Sequence, residues 1–289
     1  MTDQAGAVDA HADAVRTYYD TLDELYEHTG NAHIHHGYWA EDAPLGTPED
    51  AQLRLTEKVI SVAGVPAGAR VLDAGCGVGG TAVLLAQAHR CHVDGITLSE
   101  RQVRRATRRA EDAGVAATTR FRVLDALVTD YPDGAFDVVI ALESCEVMPD
   151  KARFLGECAR VLRPGGTLVV ATWCASTSTP TAAQQELLDT VCADFVLPYV
   201  LTLPEYARLC RSAGLTDVRT EDWTGNVRAT WEAETRNRGA RPDLATLAKL
   251  RAVDLVRLAD SAEHMRRAYA ENVIRYGVLR ATKPNLPES

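Results

Sequence analysis

The sequence of 289 residues predicts an α/β protein with a doubly wound, seven-stranded, mostly parallel sheet. Short apolar segments alternate with helical patterns of about ten to fifteen residues in the middle of the chain, which is typical of parallel strands joined by helices. A glycine-rich turn follows the first segment, where doubly wound sheets bind ligands. The composition agrees, because 46% hydrophobic and 25% charged residues exclude a disordered, collagen-like or coiled-coil chain.

The strands are predicted from apolar segments bounded by turn residues. They are 69–73, 91–97, 119–124, 136–142 and 166–172, and segments 216–222 and 273–282 also have strand character. Helices are predicted at 8–28, 48–63, 81–89, 100–114 and 151–162, and the chain is mostly helical from 177 onward. Ser99 is a suitable N-cap for the fourth helix and Gly114 a suitable stop, whereas the sequence RPGG ends the fifth.

No repeat, low-complexity tract or long linker divides the chain, so we expect one sheet with helical additions. Residues 1–65 are predicted to form an N-terminal helical cap, and residues 66–175 the ligand-binding core. Residues 176–289 are predicted to add helical lid insertions and the last two strands of the same sheet.

The charge balance excludes several partners. A net charge of −9 repels phosphate groups, so we expect no nucleic acid and no anionic membrane surface as a partner. No apolar run approaches the ~20 residues of a membrane span, and the N-terminus lacks a secretory signal pattern, which indicates a cytoplasmic protein. The basic stretch 101–109 contains no aromatic residue and is predicted to be solvated helix surface. Seven scattered cysteines without a C-x-x-C pair predict reduced core thiols.

The turn after the first strand, sequence LDAGCGVGG, predicts a ligand site. Gly75 and Gly77 allow close approach of the backbone to a ligand. No Lys follows the glycines, and Asp73 would repel a pyrophosphate but suits an ammonium group. At the second strand end, Asp94 or Thr97 is placed for ribose hydroxyls, although Asp94 also fits a partly exposed strand acid. At the end of the third strand, Asp125 is placed to accept a hydrogen bond from an adenine amino group. The alternative is that Asp125 caps its loop.

Taken together, LDAGCGVGG, GITLSERQ, DAL, PDGAFDVVIALES and LRPGGTLVVATW resemble class I S-adenosylmethionine-dependent methyltransferases. More narrowly, HIHHGYW, ALESCEVMPDK, EDWTGNV and YGVLRATKP resemble the group containing tocopherol, sterol and cyclopropane-fatty-acid methyltransferases and bacterial sugar and natural-product methyltransferases. The resemblance implies a Rossmann-like methyltransferase fold and S-adenosylmethionine as the cofactor.

The resemblance also implies roles for individual residues. It implies that Thr97 and Gln102, rather than Asp94, bind the ribose. It also implies that the backbone of Leu142 lies near the sulfonium. The expected cofactor-binding residues are His35, Asp73, Gly75, Gly77, Thr97, Leu98, Gln102, Asp125, Ala126 and Leu142. The expected substrate-binding residues are Tyr18, Trp39, Glu143, Trp173, Tyr199 and Trp223. Cys76 and Cys145 are expected near the cofactor.

The expected catalytic residues are Glu146, His36 and Tyr19. The family pattern E-S-x-E-H-M has Val147 in place of its histidine here, which argues against a histidine-driven O-methylation. Glu146 is therefore expected to act as a base or a cation-stabilising carboxylate, the alternative being an acid favoured by a helix N-terminus. The spacing of His33, His35 and His36 matches no zinc signature, so no metal is expected.

The predicted activity is methyl transfer to a small, largely apolar metabolite in natural-product biosynthesis, with carbon or nitrogen preferred over oxygen. Segments 191–201 and 226–270 are predicted to form the lid over this acceptor. The alternative is O-methylation of a sugar or a hydroxylated natural product. Two other classes stay open: an NAD-dependent oxidoreductase, because Gly75, Gly77 and Gly80 fit G-x-G-x-x-G, and a non-catalytic ligand-binding protein, because of Val147. The oligomeric state, a homo-oligomer included, also stays open.

Overall fold

A computed structural model of the chain describes residues 2–26, 31–40, 46–236 and 252–285. Over these residues the strands are β1 (Arg70–Ala74), β2 (His92–Thr97), β3 (Thr119–Val123), β4 (Phe136–Leu142), β5 (Leu162–Ala175), β6 (Thr216–Asp222) and β7 (Ile274–Thr282). The helices are α1 (Thr2–Tyr26), α2 (Pro48–Ala63), α3 (Gly80–His89), α4 (Glu100–Asp112), α5 (Lys151–Val161), α6 (Ala182–Asp194), α7 (Leu203–Ser212), α8 (Thr224–Val227), α9 (Ala229–Arg236) and α10 (Ala252–Ala270).

The seven strands form one sheet in the order β3-β2-β1-β4-β5-β7-β6. Neighbouring strands from β3 to β5 are parallel, and β7 runs antiparallel between β5 and β6. This confirms the predicted fold class. The strand order reverses between β1 and β4, and at such a point the connections diverge to opposite faces and leave a crevice at the carboxyl ends of the strands.

Both faces of the sheet are covered by helices, which explains the continuous apolar run 138–142 of β4. Val138 and Ile140 belong to one core cluster, which includes Leu55 and Val59 of α2. Val139 belongs to the other cluster, with Phe154 and Leu155 of α5. Alternate side chains of a strand point to opposite faces, so the part of a strand that is covered on both sides is apolar at consecutive positions. No helix in the described ranges is long and apolar enough to cross a bilayer.

Strand β5 is longer than the predicted segment 166–172 and begins directly after α5. A register shift between β4 and β5 and pairing with the end of β7 keep the sequence RPGG inside the strand. Gly165 donates its N–H to the carbonyl of Lys283, and Lys283 donates to Gly166. A turn sequence therefore became strand because a distant segment supplies its hydrogen-bond partners.

The predicted lid segments are only partly helical where they are described. Helix α6 ends at Asp194, so most of segment 191–201 is not helical. Segment 226–270 contains α9 and α10, but its residues 237–251 lie outside the described part of the chain.

The basic stretch on α4 binds the N-terminal helix α1 through its arginines. It is therefore not only the solvated surface that the sequence predicted. Asp23 of α1 is 1% exposed and accepts hydrogen bonds from Arg101, at 2.9 Å, and from Arg105. Arg109 donates to the backbone carbonyls of Asn31 and Val78. Three of the arginines thus fix α1 and the segment after it, because buried acidic and carbonyl oxygens require such donors.

Replacing Asp23 by Asn is expected to loosen α1 and lower the free energy of unfolding by about 1–3 kcal/mol, because two guanidinium groups lose a charged partner. Urea denaturation and limited proteolysis within α1 measure both effects. Glu24→Gln is the matched control: Glu24 also contacts Arg101 but is 61% exposed, and surface ion pairs contribute little. Equal stability of the Asp23 and Glu24 variants would contradict this account.

Candidate active site

A cavity of about 670 Å³ lies at the carboxyl ends of β1, β2, β3 and β4, with α1 along its wall. This is the size of a small-molecule site. All ten residues predicted to bind the cofactor line it. Six further predicted site residues also line it, namely Tyr18, Tyr19, His36, Glu143, Glu146 and Trp173. The structure therefore brings together side chains from positions 18 to 173.

Three predicted substrate-binding residues do not line the cavity. Trp39 donates its indole N–H to Thr230, and Trp223 is buried with its indole N–H bonded to Glu221. Tyr199 is half-exposed, with its ring over the ammonium group of Lys151. Each aromatic ring is used in packing between segments, which sequence spacing does not distinguish from a ligand contact.

The glycine-rich turn bends around the cavity at the end of β1. Gly75 has φ +98°, and the amides of Gly75 and Cys76 both donate to the carbonyl of Ile96 on β2. A Cβ at Gly75 would lie 2.3 Å from the Cβ of Ser144. Only glycine fits this combination of positive φ and close approach.

Cys76 lines the cavity, whereas the buried Cys145 packs in the opposite core cluster. All seven cysteines are free thiols.

Replacing Gly75 by Ala is expected to cost about 2–5 kcal/mol of stability, because backbone strain and overpacking against Ser144 add. Gly77→Ala is the matched control. Gly77 also has positive φ, at +50°, but a Cβ there meets no atom within 4 Å. Thermal unfolding of both variants measures the difference, and equal losses would show that crowding at Ser144 has no effect.

Asp73 presents a carboxylate oxygen that has no hydrogen-bond partner in the part of the chain that the structure describes. Its side chain is 2% exposed, and Oδ2 is buried without a hydrogen bond to any described residue. Burial raises the pKa of Asp73 to about 7, against an opposing hydrogen bond with the backbone of Ala82. A buried oxygen of this kind is stabilised by a ligand donor, best by a cation.

The ends of β2 and β3 carry polar side chains that line the cavity. The Thr97 hydroxyl donates to Gln102 Oε1 over 2.5 Å, so the two side chains form one unit on the cavity wall. Asp125 Oδ1 accepts the N–H of Leu127, so Asp125 caps its loop and also lines the cavity. Asp94 instead accepts from Tyr131 and lies outside the cavity lining, as expected of a strand acid.

Glu143 is the centre of a buried hydrogen-bond network directly after β4. Its Oε1 accepts from the backbone N–H of His36 at 2.9 Å and from the hydroxyl of Tyr276 at 3.0 Å. Its Oε2 accepts from His36 Nδ1 at 3.0 Å and from the indole of Trp173 at 3.1 Å. Burial raises the pKa of Glu143, but the interactions with His36 outweigh it, so that the net pKa lies below the ordinary range. Glu143 is therefore ionised.

His36 is held at both ring nitrogens. Its Nδ1 faces Glu143, while Nε2 receives the indole N–H of Trp231 at 2.7 Å and lies 3.1 Å from the hydroxyl of Tyr269. An indole N–H only donates, so Nε2 accepts and Nδ1 carries the proton. The side chain is 1% exposed. Because both ring nitrogens are occupied, His36 could act as the predicted catalytic residue only after one of these hydrogen bonds breaks.

Glu146 and Tyr19 occupy the same part of the cavity. Glu146 is 2% exposed and accepts from the hydroxyl of Thr172 at 2.8 Å. Burial, and then the charge of Glu143, raise the pKa of Glu146 to about 8. Burial and the charge of Glu146 raise the pKa of Tyr19 well above its usual value. At neutral pH both groups are therefore predominantly protonated and can donate hydrogen bonds.

Comparisons with known proteins agree with this site. The model of the family described as "Methyltransferase domain" matches residues 72–170. The tocopherol O-methyltransferase of Arabidopsis thaliana is 32% identical to this chain over 97% of it and 84% of the relative. The 27-O-demethylrifamycin SV methyltransferase of Amycolatopsis mediterranei is 35% identical over 92% of this chain and 96% of the relative. The chain belongs to the class I S-adenosylmethionine-dependent methyltransferases.

The cofactor of this methyltransferase is S-adenosylmethionine, and the unpartnered Oδ2 of Asp73 fits its ammonium group. Among solved structures, that of the cyclase SpnF matches with a TM-score of 0.77 and 26% identity, over 95% of this chain and 97% of that one. The fold thus extends to a protein named for a different reaction.

Sequence reasoning missed several residues of the methyltransferase cavity. His11 and Val15 line it together with Tyr18, Tyr19 and Leu22. The spacing of three, four and seven along α1 places these residues on one helix face, a signal that could have been read from the sequence. Behind the cavity wall, Tyr269 of α10 contacts His36 and Tyr276 of β7 donates to Glu143. They carried no such signal, because only the packing of α10 and the return of β7 to the sheet bring them there.

Proposed function

We propose that this methyltransferase transfers the methyl group of S-adenosylmethionine to a hydroxyl oxygen of a small, largely apolar metabolite in specialised biosynthesis. The observation that carries the proposal is one continuous cavity that joins the strand-end residues Asp73, Thr97 and Asp125 to an apolar chamber. The chamber wall includes Val15, Val147, Met148, Phe195, Leu197 and Trp231. Apolar walls of this kind suit an apolar acceptor, and the polar groups that also line the cavity can fix its orientation.

The choice of oxygen is supported by the names of the two relatives, both of which specify O-methylation or an O-demethyl compound. The preference for carbon or nitrogen rested on Val147, which removes an imidazole from the site. His11 supplies another imidazole there, because it hydrogen-bonds to the backbone carbonyl of Val147 and lines the same cavity.

The cofactor roles follow the positions of the residues along the cavity. We propose that Asp73 holds the ammonium group, that Gly75 and Gly77 line the methionine and ribose, and that Thr97 with Gln102 holds the ribose hydroxyls. Asp125 with Ala126 holds adenine, and Leu142 offers its backbone near the sulfonium. The support is that these residues line one cavity at the carboxyl ends of four strands, β1 to β4.

The cofactor supplies an electrophilic methyl group with a good leaving group, so the protein mainly aligns the acceptor and excludes water. Alignment of this kind supplies up to about 7–11 kcal/mol. We propose that the Glu143 network does the positioning, since it ties the segment 31–40, β5 and β7 into one rigid wall. His36 then acts as a positioning residue within that wall.

Glu146→Gln is expected to be more stable than the wild type at alkaline pH. The folded-state pKa of about 8 lies above that of an unfolded Glu, so the stabilising effect is complete below about pH 4 and is lost as the pH rises through 8. Gln imitates the protonated form and does not titrate. Urea denaturation between about pH 6 and pH 9 measures this, and parallel curves for both proteins would contradict it. Unchanged turnover of this variant would also show that Glu146 does not act as a base.

The proposed function is tested by incubating the enzyme and S-adenosylmethionine with a tocopherol and with 27-O-demethylrifamycin SV, the compounds in the relatives' names. Mass spectrometry detects the added methyl group, and fragmentation locates it. Methylation at a hydroxyl of either compound supports the proposal. Methylation at carbon restores the earlier preference, and failure of both compounds to react overturns the proposed acceptor class.

A further inference from the structure

His11 borders the acceptor chamber with a ring that is anchored on one side. Its Nε2 lies 2.8 Å from the backbone carbonyl of Val147. A carbonyl oxygen only accepts, so Nε2 carries the proton and Nδ1 has a free lone pair. Nδ1 has no hydrogen-bond partner among the residues that the structure describes. The side chain is only partly buried, which leaves a path for a proton to solvent.

The other histidines of the cavity are less suited to accept a proton. Both nitrogens of His36 are used, as described above. His35 Nδ1 bonds to the carbonyl of His36, and its Nε2 contacts His33 and Thr56. Burial and the charge of His35 lower the pKa of His33 to about 3, which makes it a poor base.

We propose that Nδ1 of His11 is the general base for the methyl transfer, an inference that rests on the proposed hydroxyl acceptor. The acceptor oxygen forms a bond to the methyl carbon while the carbon–sulfur bond breaks, and that electron pair stays on sulfur. The hydroxyl proton moves to Nδ1. The resulting imidazolium keeps its Nε2–H bond to the carbonyl of Val147, so this contact stabilises the ring before and after proton transfer.

The competing explanation is that His11 only fastens α1 to the segment after β4. His11→Gln separates the two, because the Gln amide N–H can still donate to the carbonyl of Val147 but offers no basic nitrogen. We expect the variant to bind S-adenosylhomocysteine as the wild type does, with kcat lowered by about 10²–10³-fold. His92→Gln is the control, since His92 is exposed at the opposite end of β2. Wild-type kcat in the His11 variant overturns the proposal.

A pH profile adds a measurement that a fastening role would not change. Hydroxide replaces a missing base, so the ratio of wild-type to His11→Gln activity should shrink as the pH rises. Other ionisable residues also line this cavity: Arg16, Tyr18 and Tyr19 of α1, His33, His35 and His36 of segment 31–40, Glu49 of α2, Asp73 in β1, Cys76 in the turn after it, Asp125 after β3, and Glu143 and Glu146 after β4. Both proteins carry all of them, so the ratio isolates His11. A ratio that stays constant overturns the proposal.

One arm of the test does not need methyl transfer at all. Nuclear magnetic resonance of the full chain with isotopically labelled histidine reports which ring nitrogen of His11 carries the proton, and His11→Gln assigns the signal. The Nε2–H form supports the proposal, and the Nδ1–H form overturns it. If neither acceptor is methylated, the proposed acceptor class fails by itself, and this measurement still decides the availability of Nδ1.

Discussion

Replacing Asp73 by Asn is expected to weaken the binding of S-adenosylmethionine and S-adenosylhomocysteine by about 2–5 kcal/mol, which is roughly 30- to several thousand-fold in Kd. Asp73 Oδ2 is buried and has no hydrogen-bond partner among the described residues. The ammonium group of the ligand would therefore supply a charged contact that the protein itself does not provide there. Asn has nearly the same shape but no charge. Isothermal titration calorimetry with S-adenosylhomocysteine measures the loss.

The same site predicts proton release on binding. The pKa of Asp73 is about 7 in the free protein, and an ammonium partner lowers it, so binding below about pH 7 expels a proton. Affinity should therefore rise with pH up to about 7 and then level off. Calorimetry in buffers of different ionisation enthalpy detects the proton.

The Asp73 variant has a matched control in Asp94→Asn, because Asp94 lies on the neighbouring strand but accepts from Tyr131 outside the cavity. We expect this control to bind as the wild type does. The free Asp73→Asn protein should be at least as stable as the wild type above about pH 7, where burial of the Asp73 charge costs stability. Unchanged affinity, or lost affinity with lost stability, would contradict the proposed role.

Replacing Glu143 by Ala is expected to lower the free energy of unfolding by about 3–5 kcal/mol, because four buried donors lose their acceptor together. In a chain of this length, that is roughly 6–20 °C in Tm. Glu143→Gln should lose less, since one amide oxygen still accepts while the NH₂ group opposes a donor. Urea denaturation followed by intrinsic Trp fluorescence measures both variants.

The pH dependence of the Glu143 contribution has a definite sign. Its folded-state pKa is below the unfolded value, so the stabilisation is present above about pH 4 and is lost as the pH falls through the folded-state pKa. Glu100→Ala is the control, because Glu100 is exposed and its ion pair with Arg104 lies on the surface of the same helix. A loss at Glu143 no larger than at Glu100 would show that the network contributes little.

The sheet was predictable because its strands are apolar on both faces and are separated by helices of ordinary length. Segments 136–142 and 216–222 match β4 and β6 at both ends. The beginning of β5 was not predictable, since RPGG has the composition of a turn and becomes strand through its hydrogen bonds with Lys283, the residue directly after β7. The arginines of α4 likewise gave no local sign of Asp23, which lies 78 and 82 residues away from Arg101 and Arg105.

The sequence by itself determined the family and the cofactor, because several of its motifs together resemble those of one methyltransferase group. It also predicted residues that line one cavity, because they follow strand ends that a parallel sheet brings to one edge. Only the tertiary structure decided which of the remaining polar groups are available for chemistry. Glu143, predicted to bind substrate, is saturated by His36, Trp173 and Tyr276, whereas Asp73 Oδ2 and His11 Nδ1 have no described partner. The reason is physical: a hydrogen bond occupies a lone pair or a proton, and the partners that occupy it come from segments far apart in the chain.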